Sequence, residues 1–257
     1  MMKQALLPLA LCLAVLQGCT VKEDRAACPC MLDILLPESA TSPEMLLSIR
    51  SGRDEVYSAA VKVEPGGSCV TVPVPKGRVS LYALDRRTGV DFIGRYVDIP
   101  EGSQCDSLYS FFAPVVCESE SAVVTVSTKK QFATVMLKFG PDCFGSGEVS
   151  GVRVRGGVSG LDLENSSPIS GTFLFECPLD GDLSCSFRVP RQLDDSLELD
   201  ALSAGGSTVC TFPLGLMISR GGFDWTETAL KDILVDIDGS SEFDVRINVV
   251  EWDTRTI

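Results

Sequence analysis

Phe132-Ala133-Thr134-Val135-Met136-Leu137-Lys138-Phe139 is the stretch that decides the fold class, and the breakers Gly140-Pro141 follow it at once. A short apolar run of β-branched and aromatic residues, stopped by Gly and Pro, reads as a buried strand. The same grammar extends outward. Val70-Thr71-Val72-Pro73-Val74 alternates with period two, and Val123-Val124-Thr125-Val126 does so less strictly. Val149 to Val154, Gly171 to Phe175, Ser184 to Val189 and Leu197 to Leu202 follow at strand-like intervals. Ile233 to Ile237 and Phe243 to Val250 flank Asp238-Gly239-Ser240-Ser241, a hairpin signal because Asp-Gly tolerates the positive φ of a tight turn. Only two windows favour a turn or two of helix, Thr226 to Ile233 and Pro43 to Ile49. Short strands separated by turn residues predict an all-β sandwich class.

The chain has 257 residues, more than one seven-strand sandwich needs and suited to two in tandem. The polar stretch Ser127-Thr128-Lys129-Lys130-Gln131 is the predicted boundary, and Gly145-Ser146-Gly147 is an equally good linker. The expected organisation is 1–18 as a signal peptide, 19–27 as a tether, 28–128 as a first β-sandwich and 129–257 as a second. No helical or solenoid repeat is visible.

The N-terminus carries its own message. Lys3 precedes an apolar run from Ala5 to Leu16, and a small residue, Gly18, stands before Cys19. That order is a charged segment, an apolar segment and a cleavage site. The run is too short to span a bilayer, which takes about 20 residues. Leu16-Gln17-Gly18-Cys19 resembles a bacterial lipobox, in which cleavage precedes the cysteine. Cys19 is then the lipidated residue, and Leu16, Gln17 and Gly18 are the recognition residues. Two or more acyl chains hold a protein on a membrane where one is marginal. The expected location is a membrane surface, with outer-membrane lipid as one partner.

Composition excludes several functions. Apolar residues make up 45%, enough for a core and against global disorder. The formal charge is −13, and loss of Lys3 with residues 1–18 brings it to about −14. An acidic surface argues against a nucleic-acid partner and against a polybasic membrane patch. Of 11 cysteines, Cys12 leaves with the signal and Cys19 takes lipid, so nine remain. Nine is odd, which leaves at least one thiol unpaired, and spacing does not give a connectivity. Cys28-Pro29-Cys30 is C-x-C, not the C-x-x-C of redox or zinc sites.

The chain contains no histidine. Ser-His-Asp and Cys-His catalysis and histidine-containing metal sites are therefore excluded. The acidic pairs Asp194-Asp195 and Glu118/Glu120 sit in polar breaks and read as solvated turns, so glycoside hydrolysis has no positive support. Asp236-Ile237-Asp238-Gly239 fails as a calcium loop, since Gly239 at position 6 puts Leu234 at position 1. Gly145-Ser146-Gly147-Glu148-Val149-Ser150 fails the dinucleotide pattern at its third glycine. Trp225 and Trp252 are candidate sugar-stacking platforms, with core or edge packing favoured for Trp252. The expectation is no enzyme, no metal and no cofactor.

Two segments resemble one family. The first is Lys22-Glu23-Asp24-Arg25 leading to Cys28-Pro29-Cys30-Met31-Leu32. The second comprises Phe212-Pro213-Leu214-Gly215, Gly222-Phe223-Asp224-Trp225, Leu230-Lys231-Asp232-Ile233, Val235-Asp236-Ile237-Asp238 and Ile247-Asn248-Val249-Val250-Glu251-Trp252. Together they look like the fimbrillin-associated anchor lipoproteins of Bacteroidales, minor subunits of type V fimbriae. Glu251 and Gly239 depart from the family's pattern, at positions with no catalytic role. The resemblance implies two transthyretin-like β-sandwiches, attachment of a fimbrial shaft to the outer membrane, and an influence on fimbria length. Lys22-Glu23-Asp24 also resembles the surface-export signal of Bacteroidetes lipoproteins, which implies a protein facing outward. Shaft subunits would join by β-strand addition to an exposed edge. The terminal strand Phe243 to Trp252 and the first strand Cys30 to Leu36 are the candidates. The alternative is a surface lipoprotein that binds glycan or host protein, as a tip or adhesin subunit.

Overall fold

The computed structural model describes residues 28–37, 44–85, 92–144, 148–239 and 244–250. The lipobox Leu16 to Cys19, Lys22-Glu23-Asp24, the alternative linker Gly145-Ser146-Gly147, Ser240-Ser241 and Trp252 lie outside them. In chain order the first half forms β1 (Cys30–Leu36), β2 (Glu44–Ser51), β3 (Asp54–Lys62), β4 (Ser68–Val74), β5 (Gly77–Asp85), β6 (Phe92–Ile93), β7 (Tyr96–Asp98), β8 (Tyr109–Cys117) and β9 (Ser121–Thr125). Then come β10 (Lys129–Lys130), β11 (Phe132–Phe139), β12 (Gly151–Asp162), β13 (Ser167–Pro178), β14 (Ser184–Pro190), β15 (Glu198–Leu202), β16 (Thr208–Phe212), α1 (Leu214–Arg220), β17 (Asp232–Asp238) and β18 (Asp244–Val250). The fold is all-β.

Four sheets result. Their orders are β4-β1-β9, β10-β8-β5-β2-β3, β14-β11-β17-β18 and β16-β15-β12-β7-β6, with β13 also paired to β12. Most ladders are antiparallel, but β1 runs parallel to β9 and β11 parallel to β17. The octapeptide Phe132–Phe139 is a central strand, flanked by β14 and β17. Its buried residues include Ala133, Val135, Leu137 and Phe139, the period-two face of a strand.

One core gathers Leu32, Ile34, Leu47, Ile49, Val72, Leu81 and Cys117 from the first two sheets. A second joins Val135, Leu137, Phe139, Val154, Phe173, Phe187 and Leu199 from the last two. A smaller cluster places Tyr82 and Leu84 of β5 with Val97, Phe132 and Leu161. The short strands β6 and β7 leave the first half and complete the sheet of β12. Gly160 permits this approach, since a Cβ there would lie 2.4 Å from the Val97 carbonyl oxygen.

The helix expectations fail. Pro43 to Ile49 falls largely within β2, because Met45, Leu47 and Ile49 form one buried face of a strand. Residues 226–231 form turns and bends before β17, not a helix. Among the described residues one helix forms, α1, with Pro213 at its N-cap and Gly221-Gly222 at its C-terminal end. Gly215 lets it sit tightly, since a Cβ there would lie 2.5 Å from the Asp195 carbonyl oxygen. No helix among the described residues is long and apolar enough to cross a membrane.

Candidate binding cleft and strand edges

Three turns that are distant in sequence converge on a cleft of about 480 Å³. The β12–β13 turn contributes Asn165 to Pro168, the segment after β14 contributes Arg191, Gln192 and Leu193, and the segment after α1 contributes Trp225 to Thr228. The volume falls in the usual range for small-molecule sites, about 300–1,000 Å³.

Hydrogen bonds from residues outside each turn fix the walls. Arg191 is 6% exposed and donates from Nε and Nη2 to Gln131 Oε1 at 3.3 and 3.1 Å. Its Nη1 donates to the Trp225 carbonyl oxygen. Gln131 Nε2 in turn donates to Ser166 Oγ at 3.5 Å, so one amide ties two of the three turns. Ser166 has a φ of 53°, a left-handed conformation uncommon for a residue with a Cβ and typical of constrained sites. Asp224 Oδ1 accepts from Thr226 N at 2.8 Å and from Thr226 Oγ1 at 2.7 Å, which shapes the third turn.

Three cleft residues are more than nine-tenths buried and polar: Arg191, Gln192 and Trp225. Gln192 donates through Nε2 to the Pro190 carbonyl oxygen at 2.7 Å, but its Oε1 has no hydrogen-bond partner. Trp225 Nε1 has none either. Orphan buried polar atoms are rare in folded proteins and ask for an explanation. Burial pushes the Arg191 guanidinium down from its ordinary value, and the Asp224 charge acts in the other direction. Thr226 hydrogen bonds first, and the Arg191 charge last, hold the Asp224 carboxyl below the usual carboxylate range. Glu227 pairs with Lys231 at 3.2 Å. Leu193, 54% exposed, stands on the rim.

The tryptophan is not an open stacking platform. Its ring is 8% exposed and meets Phe223 edge-on, with centroids 4.6 Å apart. The acidic pairs are turn formers. Asp194 Oδ1 accepts from Ser196 N at 2.9 Å, and Asp195 Oδ1 accepts from Ser219 Oγ of α1. Glu118 and Glu120 are exposed. Among the described residues no group of three or more Cys, Asp or Glu side chains is placed to hold a metal ion. Sequence reasoning singled out Trp225 but missed Arg191 and Gln192; the Pro190-Arg191-Gln192 run after an apolar strand was the available signal.

The two candidate strands for addition differ in place. β1 pairs with β4 on one side and β9 on the other, so both its edges are filled. Among the described residues β18 pairs with β17 alone and stands at the edge of its sheet. Val249 on β18 is 37% exposed.

No protein-family model matches the chain, and no curated protein matches it. Solved structures do. A Bacteroides thetaiotaomicron protein described as polysaccharide-binding superposes with a TM-score of 0.62 at 11% identity, over 87% of this chain and 98% of that one. The fimbrial anchor protein of Porphyromonas gingivalis gives 0.59 at 9% identity, over 87% and 98%. A Bacteroides thetaiotaomicron protein described as an adhesin gives 0.58 at 10% identity, over 89% and 99%. Near end-to-end overlap at such low identity establishes a shared fold: this all-β chain is built like these fimbrial and adhesin structures.

Proposed function

We propose that the protein is a non-catalytic, surface-exposed adhesion protein of the fimbrial class that binds glycan through the cleft between Ser166, Arg191 and Trp225. The observation that carries this reading is the cleft itself: 480 Å³, with unpartnered polar atoms on two of its buried residues. The fold shared with proteins described as adhesins and as polysaccharide-binding supports it. The chain is read as two tandem transthyretin-like sandwiches, 28–128 and 129–257, each supported by its own apolar core. Lipid on Cys19 tethers it to the outer membrane, and Lys22-Glu23-Asp24 directs it outward.

The edge position of β18 among the described strands supports a second reading, in which a fimbrial shaft subunit adds a strand there and the protein anchors the shaft and limits its length. Gene deletion separates the two. Loss of adhesion to glycan-coated surfaces with fimbriae still attached supports the adhesin. Fimbriae shed into the medium, with binding of the purified protein to a glycan array absent, support the anchor and overturn the adhesin.

A further inference from the structure

We propose that the cleft is specific for an acidic sugar, whose carboxylate pairs with the Arg191 guanidinium. This rests on the glycan-binding reading above and names the ligand class of the same site.

The argument begins with a charge. Arg191 lines the cleft, is 6% exposed, and spends three donors on two neutral acceptors, Gln131 Oε1 and the Trp225 carbonyl oxygen. A guanidinium carries five N–H donors and stays protonated, so donors on its two Nη atoms remain. Buried charges are ordinarily paired, because an uncompensated one forfeits its hydration. Among the described residues no carboxylate forms an ion pair with Arg191. Asp224 acts on Arg191 through its charge but forms no ion pair with it, its Oδ1 accepting from Thr226, and Glu227 pairs with Lys231. A cation whose direct hydrogen-bond partners are all neutral has donors left for an anion from outside, and a planar carboxylate matches the guanidinium fork.

The rest of the lining selects the kind of anion. Asn165, Ser167 and Thr228 bring amide and hydroxyl groups from two of the three turns; Ser167 Oγ donates to Asn165 Oδ1 at 2.7 Å, which leaves the Asn165 amide N–H donors and the Thr228 hydroxyl for sugar hydroxyls. Pro168 and exposed Leu193 offer apolar surface for the C–H face of a ring. The chain's formal charge of −13 disfavours polyanions such as nucleic acids, which gain affinity from many surface cations. A single carboxylate entering a sheltered cleft is less exposed to that field, which salt screens over about 8 Å.

The test is calorimetric titration of the purified protein with glucuronic- and galacturonic-acid oligosaccharides and with sialyllactose. Carboxyl-reduced or methyl-esterified forms of the same sugars serve as controls. The expected result is at least tenfold tighter binding of one acidic ligand than of its neutralised form. Leu193→Glu, on the exposed rim, should keep the fold, checked by circular dichroism, and weaken the acidic ligand more than the neutral one. Arg191→Gln should abolish the preference; if that variant misfolds, Leu193→Glu carries the test. Equal binding of acid and neutralised forms overturns the inference and leaves glycan adhesion standing. Binding of peptides through a terminal carboxylate, with no glycan bound, overturns it in favour of a protein ligand. Failure of every sugar, acidic and neutral, overturns the glycan-binding reading itself.

Discussion

Lys130 Nζ lies 2.5 Å from Asp232 Oδ1, an ion pair with side chains only 13% and 8% exposed. Lys130 belongs to β10, which pairs with β8 of the first half, and Asp232 opens β17 of the second. The same Oδ1 accepts from Thr134 N at 2.7 Å, and Lys130 lies 4.8 Å from the centre of the Phe132 ring. One carboxylate therefore fixes the chain where the two halves meet. Asp232→Ala leaves a sheltered ammonium and a backbone N–H without their partner. Breaking a buried pair in this way costs about 3–5 kcal/mol. Urea unfolding should show that loss, with a smaller one for Asp232→Asn, which keeps an acceptor. A loss below that of an ordinary surface substitution would contradict the role.

Trp225 supports the cleft from below more than it offers a face to a ligand. Trp225→Ala should destabilise by about 3–5 kcal/mol, the usual result of emptying an aromatic core site. At about 2–4 °C per kcal/mol for a chain of this size, thermal melting reads it clearly. Trp225→Phe keeps the contact with Phe223 and removes the unpartnered Nε1, so its cost should be much smaller. Near-equal melting temperatures for the two variants would sink this account.

The edge strand β18 is seated by a close contact. A Cβ at Gly221 would lie 2.5 Å from Ile247 Cγ2 and 2.6 Å from its Cβ. Gly221→Ala should therefore destabilise by about 1–3 kcal/mol through overpacking. Ile247→Ala removes the obstructing atoms, so the double variant should recover part of the loss. A double-mutant cycle with no coupling between the two sites would show that Ile247 does not seat the strand.

The nine cysteines among the described residues are free thiols. Burial pushes Cys117 up to about 11, with neighbouring Cys30 adding to the effect, and pushes Cys105 up to about 12. Burial also raises Cys185, with Cys177 beside it adding to the effect. Iodoacetamide at pH 8 should modify exposed Cys28 and Cys69 before these three. An unfolded thiol ionises near 8.5, so above that pH the unfolded chain loses protons that the folded chain keeps. These groups support stability fully below about pH 8.5, and the urea midpoint in reductant should fall as pH rises toward 11–12. A midpoint that rose between pH 8 and 10.5 would reverse the sign.

Cys19→Ala should abolish palmitate labelling and move the protein out of the membrane fraction. Unchanged membrane retention would show that Cys19 is not the sole anchor.

Much of the strand content was legible. The alternation in Val70–Val74 became β4, Phe132–Phe139 became β11, and the hairpin partners became β17 and β18, with Gly239 at a φ of 107°. The failures share a cause. Met45 to Ile49 mixes alternation with contiguous apolar residues, which short windows do not separate into helix or strand. α1 has two turns and an internal glycine, so its helical signal is weak, and its place depends on packing against the Asp194-Asp195 turn.

By itself the sequence determined an all-β chain with period-two faces, a lipobox-like N-terminus and no histidine chemistry. These are local properties, set by which residue types stand two apart and which break a run. Tertiary structure alone decided which strands became edges. β1 was a candidate for a free edge until β9, about 90 residues away in register, closed its second side. It alone also built the cleft, whose turns at 165–168 and 191–193 are joined through Gln131, 60 residues before Arg191, and whose turn at 225–228 is held by Arg191. Periodicity fixes the face a side chain takes but not the neighbour it meets. That choice is made by burial of whole faces against one another and by the pairing of the polar groups trapped between them.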